Sequence, residues 1–180
     1  MAPLFVKIGA KYDTRDNEAN PMKGLWTEAQ ILLIPGFLSD GYNYTRFAFT
    51  HRQYFTLIRE RVNFGYRLSY QTKLTGQMPY YMLPLVYNSA PQLTLSGLGG
   101  AKTIRGILRN RVVGEDFLYG NAEIRWKVFR AIILNQNFYF ALSGFADAGM
   151  VTGKYKLPEI TDPEGIAWLE KGDKEQLHIT

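Results

Sequence analysis

The sequence predicts an all-β chain, an antiparallel transmembrane β-barrel wall, on three observations. Apolar residues recur with a period of two almost throughout, and no helical stripe of useful length interrupts them. The runs reach about ten residues or more, the length a tilted strand needs to cross a hydrocarbon core. In the cleanest run, Val62, Phe64, Tyr66, Leu68 and Tyr70 alternate with Asn63, Gly65, Arg67, Ser69 and Gln71, so one face is wholly apolar and the other polar or glycine. Soluble antiparallel sheets alternate as well. Strand length favours the membrane, as do aromatics near strand ends (Trp26, Tyr42, Tyr44, Tyr70, Tyr119 and Trp126) that suit interfacial girdles.

In order along the chain, the first strand, Leu4 to Tyr12, sets Leu4, Val6, Ile8, Ala10 and Tyr12 against Lys7, Gly9 and Lys11. Asp13 to Gly24 has the composition of a turn. The second strand, Leu25 to Ile34, puts Leu25, Thr27, Ala29, Ile31 and Leu33 opposite Trp26, Glu28, Gln30 and Leu32, and Pro35-Gly36 ends it. The third, Tyr44 to Phe55, opposes Phe47, Phe49, His51 and Phe55 to Arg46, Ala48, Thr50 and Arg52. The fourth is the clean run from Val62. Alternation then stops over residues 77–114, a connection long enough to be functional and apolar enough to be ordered. The fifth strand, Asn121 to Val128, and the sixth, Phe138 to Met150, follow; residues 153–177 are polar and turn-rich, an exposed loop, and His178-Ile179-Thr180 begins a further strand.

The long connection carries Gly97, Gly99, Gly100 and Gly106 around a lone Arg105, which Ile104 and Ile107 frame. Such a segment folds into a confined space, and an arginine there needs an acid, because an unpaired buried charge costs several kcal/mol. Glu123 and Asp147 both fall on the polar, lumen-facing phase of the fifth and sixth strands. Arg105 is therefore expected to pin the loop to the inner wall through Glu123 and Asp147.

Other chemistry is poorly served. The 180 residues suffice for one domain, 1–180, with a formal charge of +5, but Lys and Arg are scattered among apolar residues rather than gathered for nucleic acid. The absence of cysteine excludes a disulfide scaffold or a thiolate metal site, and His51 and His178 alone do not build a metal centre. Gly97 to Thr103 fails as a phosphate-binding loop because Ala101 stands where a glycine must precede the lysine. No Gly-x-Ser-x-Gly marks a serine hydrolase. Asp13, Asp16 and Glu18 lack calcium-loop spacing and read as turn formers, and His51 as a strand residue. No apolar run reaches the roughly eighteen residues of a membrane helix, and a mean hydropathy of −0.19 suits a barrel as well as a soluble protein. Met1 to Phe5 lacks the features of a signal peptide, so the chain is expected either not to be secreted or to begin partway through a longer one.

Four motifs in order resemble the BamA/TamA family of outer-membrane barrels, the bacterial surface antigen family. They are the Asp13-Thr14-Arg15-Asp16-Asn17 to Gly24 turn, Gly99 to Ile107, Gly120-Asn121-Ala122-Glu123-Ile124-Arg125-Trp126, and Phe145-Ala146-Asp147-Ala148-Gly149. The resemblance covers about residues 4 to 153. It implies that residues 77–114 are an extracellular loop folded into the lumen, with Gly99, Gly100, Ile104, Arg105, Gly106 and Ile107 as its locking motif and Glu123 and Asp147 as the acids that receive it. Ile104 stands where the family has valine, and Ile107 where it has an aromatic ring. It further implies a barrel of roughly sixteen strands, of which this chain supplies about six, a fragment without the periplasmic POTRA domains and the seam between first and last strands. The implied function is insertion or translocation of client outer-membrane proteins in a Gram-negative outer membrane. Membrane lipid and periplasmic or lipoprotein accessory subunits are the implied partners, and no cofactor, metal or catalysis is expected. The same barrel could instead be a two-partner secretion pore or the membrane anchor of a fused lipase. A small soluble β-barrel binding an apolar ligand is the alternative of another class, and it requires apolar residues inside and polar ones outside.

Overall fold

The computed structural model describes residues 5–38, 42–88, 94–134, 136–153 and 177–180. Its main feature is a seven-stranded antiparallel sheet in the order β1-β2-β3-β4-β7-β8-β9. These strands are β1 (Val6–Asp13), β2 (Gly24–Ile34), β3 (Tyr44–Ile58), β4 (Val62–Gly76), β7 (Asp116–Ile133), β8 (Gln136–Gly153) and β9 (His178–Ile179). Between β4 and β7 the chain leaves the sheet, makes a 3-10 turn at Tyr80–Met82 and forms a short ribbon of β5 (Leu85–Val86) and β6 (Thr94–Leu95). The strand order is that of a meander, with the whole excursion inserted between two sheet neighbours. The expected exposed loop at 153–177 lies almost entirely outside the described residues.

The faces of the sheet decide its solvent. Glu28, Gln30, Arg46, Thr50, Asn63, Ser69, Gln71 and Asp147 are buried on one side, whereas Ile31, Leu33, Leu68, Ile124, Trp126 and Leu142 on the other are exposed. This is the reverse of what the alternative of a small soluble barrel requires. An apolar outer face of this extent is unfavourable in water and favourable in lipid. β3 and β4 have 15 residues each and β7 and β8 have 18 each, more than a tilted bilayer crossing needs.

The inner face is not uniformly polar. Where the long loop covers it, Leu32, Ile34, Tyr44 and Ala48 of β2 and β3 pack against Met78, Met82, Leu83, Leu85 and Tyr87. Nearer the tip, Phe117, Tyr119 and Val151 of β7 and β8 pack against Val86, Leu98, Ile104 and Val112. Hydrophobic burial thus holds the loop along its length, and each fully buried aliphatic side chain contributes about 1.5–3 kcal/mol.

Two expectations need correcting. Trp26, Tyr44 and Tyr119 are buried on the inner face and do not form an interfacial girdle. Trp26 and Tyr119 lie under arginines, with Arg52 Cζ at 4.5 Å and Arg67 Cζ at 5.0 Å from the respective ring centroids, and Tyr44 packs under the loop. The strand expected over Asn121 to Val128 runs from Asp116 to Ile133, because a register shift between Lys127 and Phe129 breaks the period of two without ending the pairing.

Candidate functional site

One row of the sheet organises the site. Reading across strands, Trp26 pairs with Arg52, Arg52 with Arg67, Arg67 with Asn121, and Asn121 with Asp147. All five sit on the same phase of the alternation as the buried polar residues, so their side chains share the inner face.

The tip of the loop docks at the Asp147 end of this row. Arg105 donates from Nε to Asp147 Oδ2 at 2.8 Å and from Nη2 to Asp147 Oδ1 at 2.8 Å, a two-pronged contact, and its backbone N–H reaches Oδ2 at 2.9 Å. Its remaining prong, Nη1, donates to Glu123 Oε2 at 2.9 Å. Glu123 in turn accepts from Arg125 Nε at 2.6 Å. The Asp147 side chain has 0% exposure and that of Arg105 26%, so the carboxylate is shielded from water while the guanidinium keeps a solvent edge, and leaving Asp147 unpaired would be costly. The hydrogen bonds to Asp147 hold the Arg105 guanidinium above its ordinary pKa against the opposing effect of burial, with those to Glu123 adding to it. Arg105 is therefore charged at any pH the protein survives.

The backbone shapes the tip for this contact. Gly100 and Gly106 adopt φ of +78° and +88°, a region that L side chains rarely enter. Gly106 follows Arg105 directly, so the chain can reverse once the arginine is seated. Thr103 fastens the inside of the turn: its hydroxyl accepts from Gly99 N–H at 2.7 Å and donates to Gly99 O at 2.8 Å. The Gly100 N–H donates to Ile107 O at 2.8 Å, closing the loop around Ile104, which is fully buried, while Ile107 packs at the edge of the same cluster. Asn121 Nδ2 donates to Thr103 O at 2.7 Å, and Arg67 Nη2 to Lys102 O at 2.7 Å, so the neighbouring wall residues also grip the tip.

Three participants were not singled out from the sequence. Ile107 brings no ring to Arg105, but Phe145 of β8 does, with its centroid 3.7 Å from Arg105 Cζ. Phe145 lies on the inward phase two residues before Asp147, which was the signal available. Arg46 is fully buried and anchors the root of the loop: Nη2 donates to Glu115 O at 2.8 Å, Nη1 to Leu85 O at 3.4 Å, and its guanidinium carbon lies 5.2 and 5.4 Å from the ring centroids of Tyr87 and Phe117. Lys73 pairs with Glu115 at 2.7 Å beside it.

In the Asp13 to Gly24 connection, Asp13 pairs with Arg15 at 2.7 Å, and the Asp16 carboxylate accepts from Met22 N–H at 2.9 Å and Lys23 N–H at 3.2 Å. These are the bonds of a fastened turn. The turn also seals against the wall, since Asn63 Nδ2 donates to Pro21 O at 3.0 Å and Thr56 Oγ1 to Met22 O at 2.9 Å.

Comparisons with curated proteins and with solved structures gave no match. Among protein families, the Omp85 superfamily domain matches residues 4–162. That span takes in β1 through β8 together with the docked loop, and the chain belongs to the Omp85 superfamily.

Proposed function

We propose that this chain forms wall and plug of a BamA/TamA-like factor in the bacterial outer membrane, where it assists insertion or translocation of client outer-membrane proteins without catalysis. Omp85 superfamily proteins are associated with the outer membrane and act in protein insertion or translocation. The observation that carries the finer reading is the seating of Arg105 on Asp147 and Glu123 beneath an outward apolar face. Residues 77–114 act as a lumen plug, and the locking motif holds the plug in one position so that the barrel keeps its shape during client passage. Client strands are recruited by main-chain pairing at sheet edges.

The test is Arg105→Ala in the complete protein. The variant is expected to show the heat-shifted gel mobility of a folded barrel in the outer-membrane fraction, a loop newly open to protease, and reduced client assembly. Exchanging the charges of Arg105 and Asp147 is expected to restore part of that assembly. Unchanged protease sensitivity and unchanged client assembly in Arg105→Ala would refute the locking role. A soluble, heat-indifferent product from the unaltered protein would refute the barrel.

A further inference from the structure

Beside the Arg105 lock, the inner face carries an open cavity of about 650 Å3 between β3, β4, β7 and the loop tip. Its charged lining is Arg52, Arg67, Lys102, Arg105, Arg125 and a single carboxylate, Glu123. That carboxylate is already engaged, one oxygen by Arg105 and the other by Arg125. Arg105 is further committed to Asp147.

Arg52 and Arg67 are left. They are direct cross-strand partners on the inner face, a position where like charges oppose pairing. Among the described residues neither forms an ion pair with a carboxylate. Arg67 is oriented by Asn121 Oδ1 at 2.8 Å and by the Lys102 carbonyl. Arg52 Cζ lies 4.5 Å from the Trp26 ring centroid, and its Nε is buried with no hydrogen-bond acceptor. Two guanidinium charges held side by side without a carboxylate are unfavourable, and an anion drawn into the cavity would relieve their repulsion.

We infer that Arg52 and Arg67, with Lys102 on the loop side, bind a phosphoryl group. The Arg52 Nη groups, the Arg67 Nη1 that its bonds to Asn121 and the loop leave over, and an ammonium suit a group with up to two negative charges and three acceptor oxygens better than a carboxylate with one charge and two oxygens. The cavity opens on the inner face, away from the apolar outer surface, so the source is a water-borne phosphate compound rather than a lipid headgroup. Its volume is that of a small-molecule site, which leaves room for a diphosphate or a small ester. This inference is independent of the assembly role.

The probe is pyrophosphate, added to the complete protein refolded in detergent, with thermal unfolding followed by intrinsic fluorescence. Sodium chloride at matched ionic strength and citrate are the reference anions. Pyrophosphate is expected to raise the midpoint by a few degrees over both, in the unaltered protein and in Arg111→Gln, an exposed loop control. The rise is expected to vanish in Arg52→Gln and Arg67→Gln. It should shrink in Arg52→Lys, which keeps the charge and loses the fork. Three results would each overturn the site: no rise in the unaltered protein, an equal rise with citrate, or an equal rise in Arg52→Lys and Arg67→Gln.

Discussion

Ile104 occupies the space a side chain on Gly149 would need. A Cβ at Gly149 would lie 2.6 Å from Ile104 Cδ1, 2.8 Å from Tyr119 Cβ and 3.1 Å from the Leu118 carbonyl oxygen. The wall is thinned by one side chain where Ile104 of the loop tip meets it, and the close Tyr119 Cβ and Leu118 carbonyl leave an added methyl little room. Gly149→Ala is therefore expected to push the tip off the wall, at about 1–3 kcal/mol as for other overpacked sites. Trypsin cleavage at the exposed Lys102 and Arg109 should accelerate, and Ile104→Val in the same chain should recover part of the protection.

The two acids that receive Arg105 are not equivalent. Asp147 takes three bonds from Arg105 with its side chain fully enclosed, whereas Glu123 takes one, is partly exposed and has Arg125 as a second cation. Asp147→Asn is expected to weaken docking by about 3 kcal/mol and Glu123→Gln by about 1 kcal/mol. When loop opening is fast relative to cleavage, protease rates report this difference directly, and equal acceleration in both variants would contradict the ranking.

Arg46 predicts a separable root. Its acceptors are the carbonyls of Glu115 and Leu85, so Arg46→Ala leaves both without their donor and opens a cavity between Tyr87 and Phe117. Hydrogen exchange is expected to quicken around residues 85–87 and 115–117 while the tip stays protected. Combining Arg46→Ala with Arg105→Ala should release the whole loop, with a larger effect than the sum of the single variants.

The turn between β1 and β2 carries a pH dependence of known sign. Burial draws the Asp16 carboxyl upward, but the N–H groups of Lys23 and Met22 outweigh it and hold the group below the usual carboxylate range. A lowered folded value means that the carboxylate's contribution is complete above the unfolded value, about pH 4, and is lost as the pH falls through the folded one. Amide exchange at Met22 and Lys23, corrected for its intrinsic pH dependence, should therefore lose protection only below about pH 4. In Asp16→Asn that step should be absent.

Much of this was legible in the sequence because a period of two is a strong signal and a strand keeps its faces. The alternation alone put Glu123 and Asp147 on the inner face, and both side chains meet Arg105 there. It also put Trp26 in phase with Glu28 and Gln30, so the inward position of Trp26 was available from the pattern, although an aromatic near a strand end suggested a membrane girdle. Arg46 was harder to read. Its acceptors are main-chain carbonyls from across the loop, and carbonyls carry no residue identity for a sequence to display. The far end of β7 was obscured for a different reason, since one extra residue at Val128 inverts the phase beyond it.

Asp147 takes part in two structures at once. Its side chain grips Arg105, while its backbone N–H and C=O exchange 2.9 Å hydrogen bonds with Thr180 beyond β9. Gly106, the next residue of the tip, faces Thr180 as well, with a Cβ there lying 3.1 Å from its methyl group. Asp147 is thus a joint between the sheet and the loop docked on it. Any force that prises β9 from β8 at this rung acts on the residue that seats the arginine, so the pairing of these strands and the docking of the loop tip are coupled through one residue.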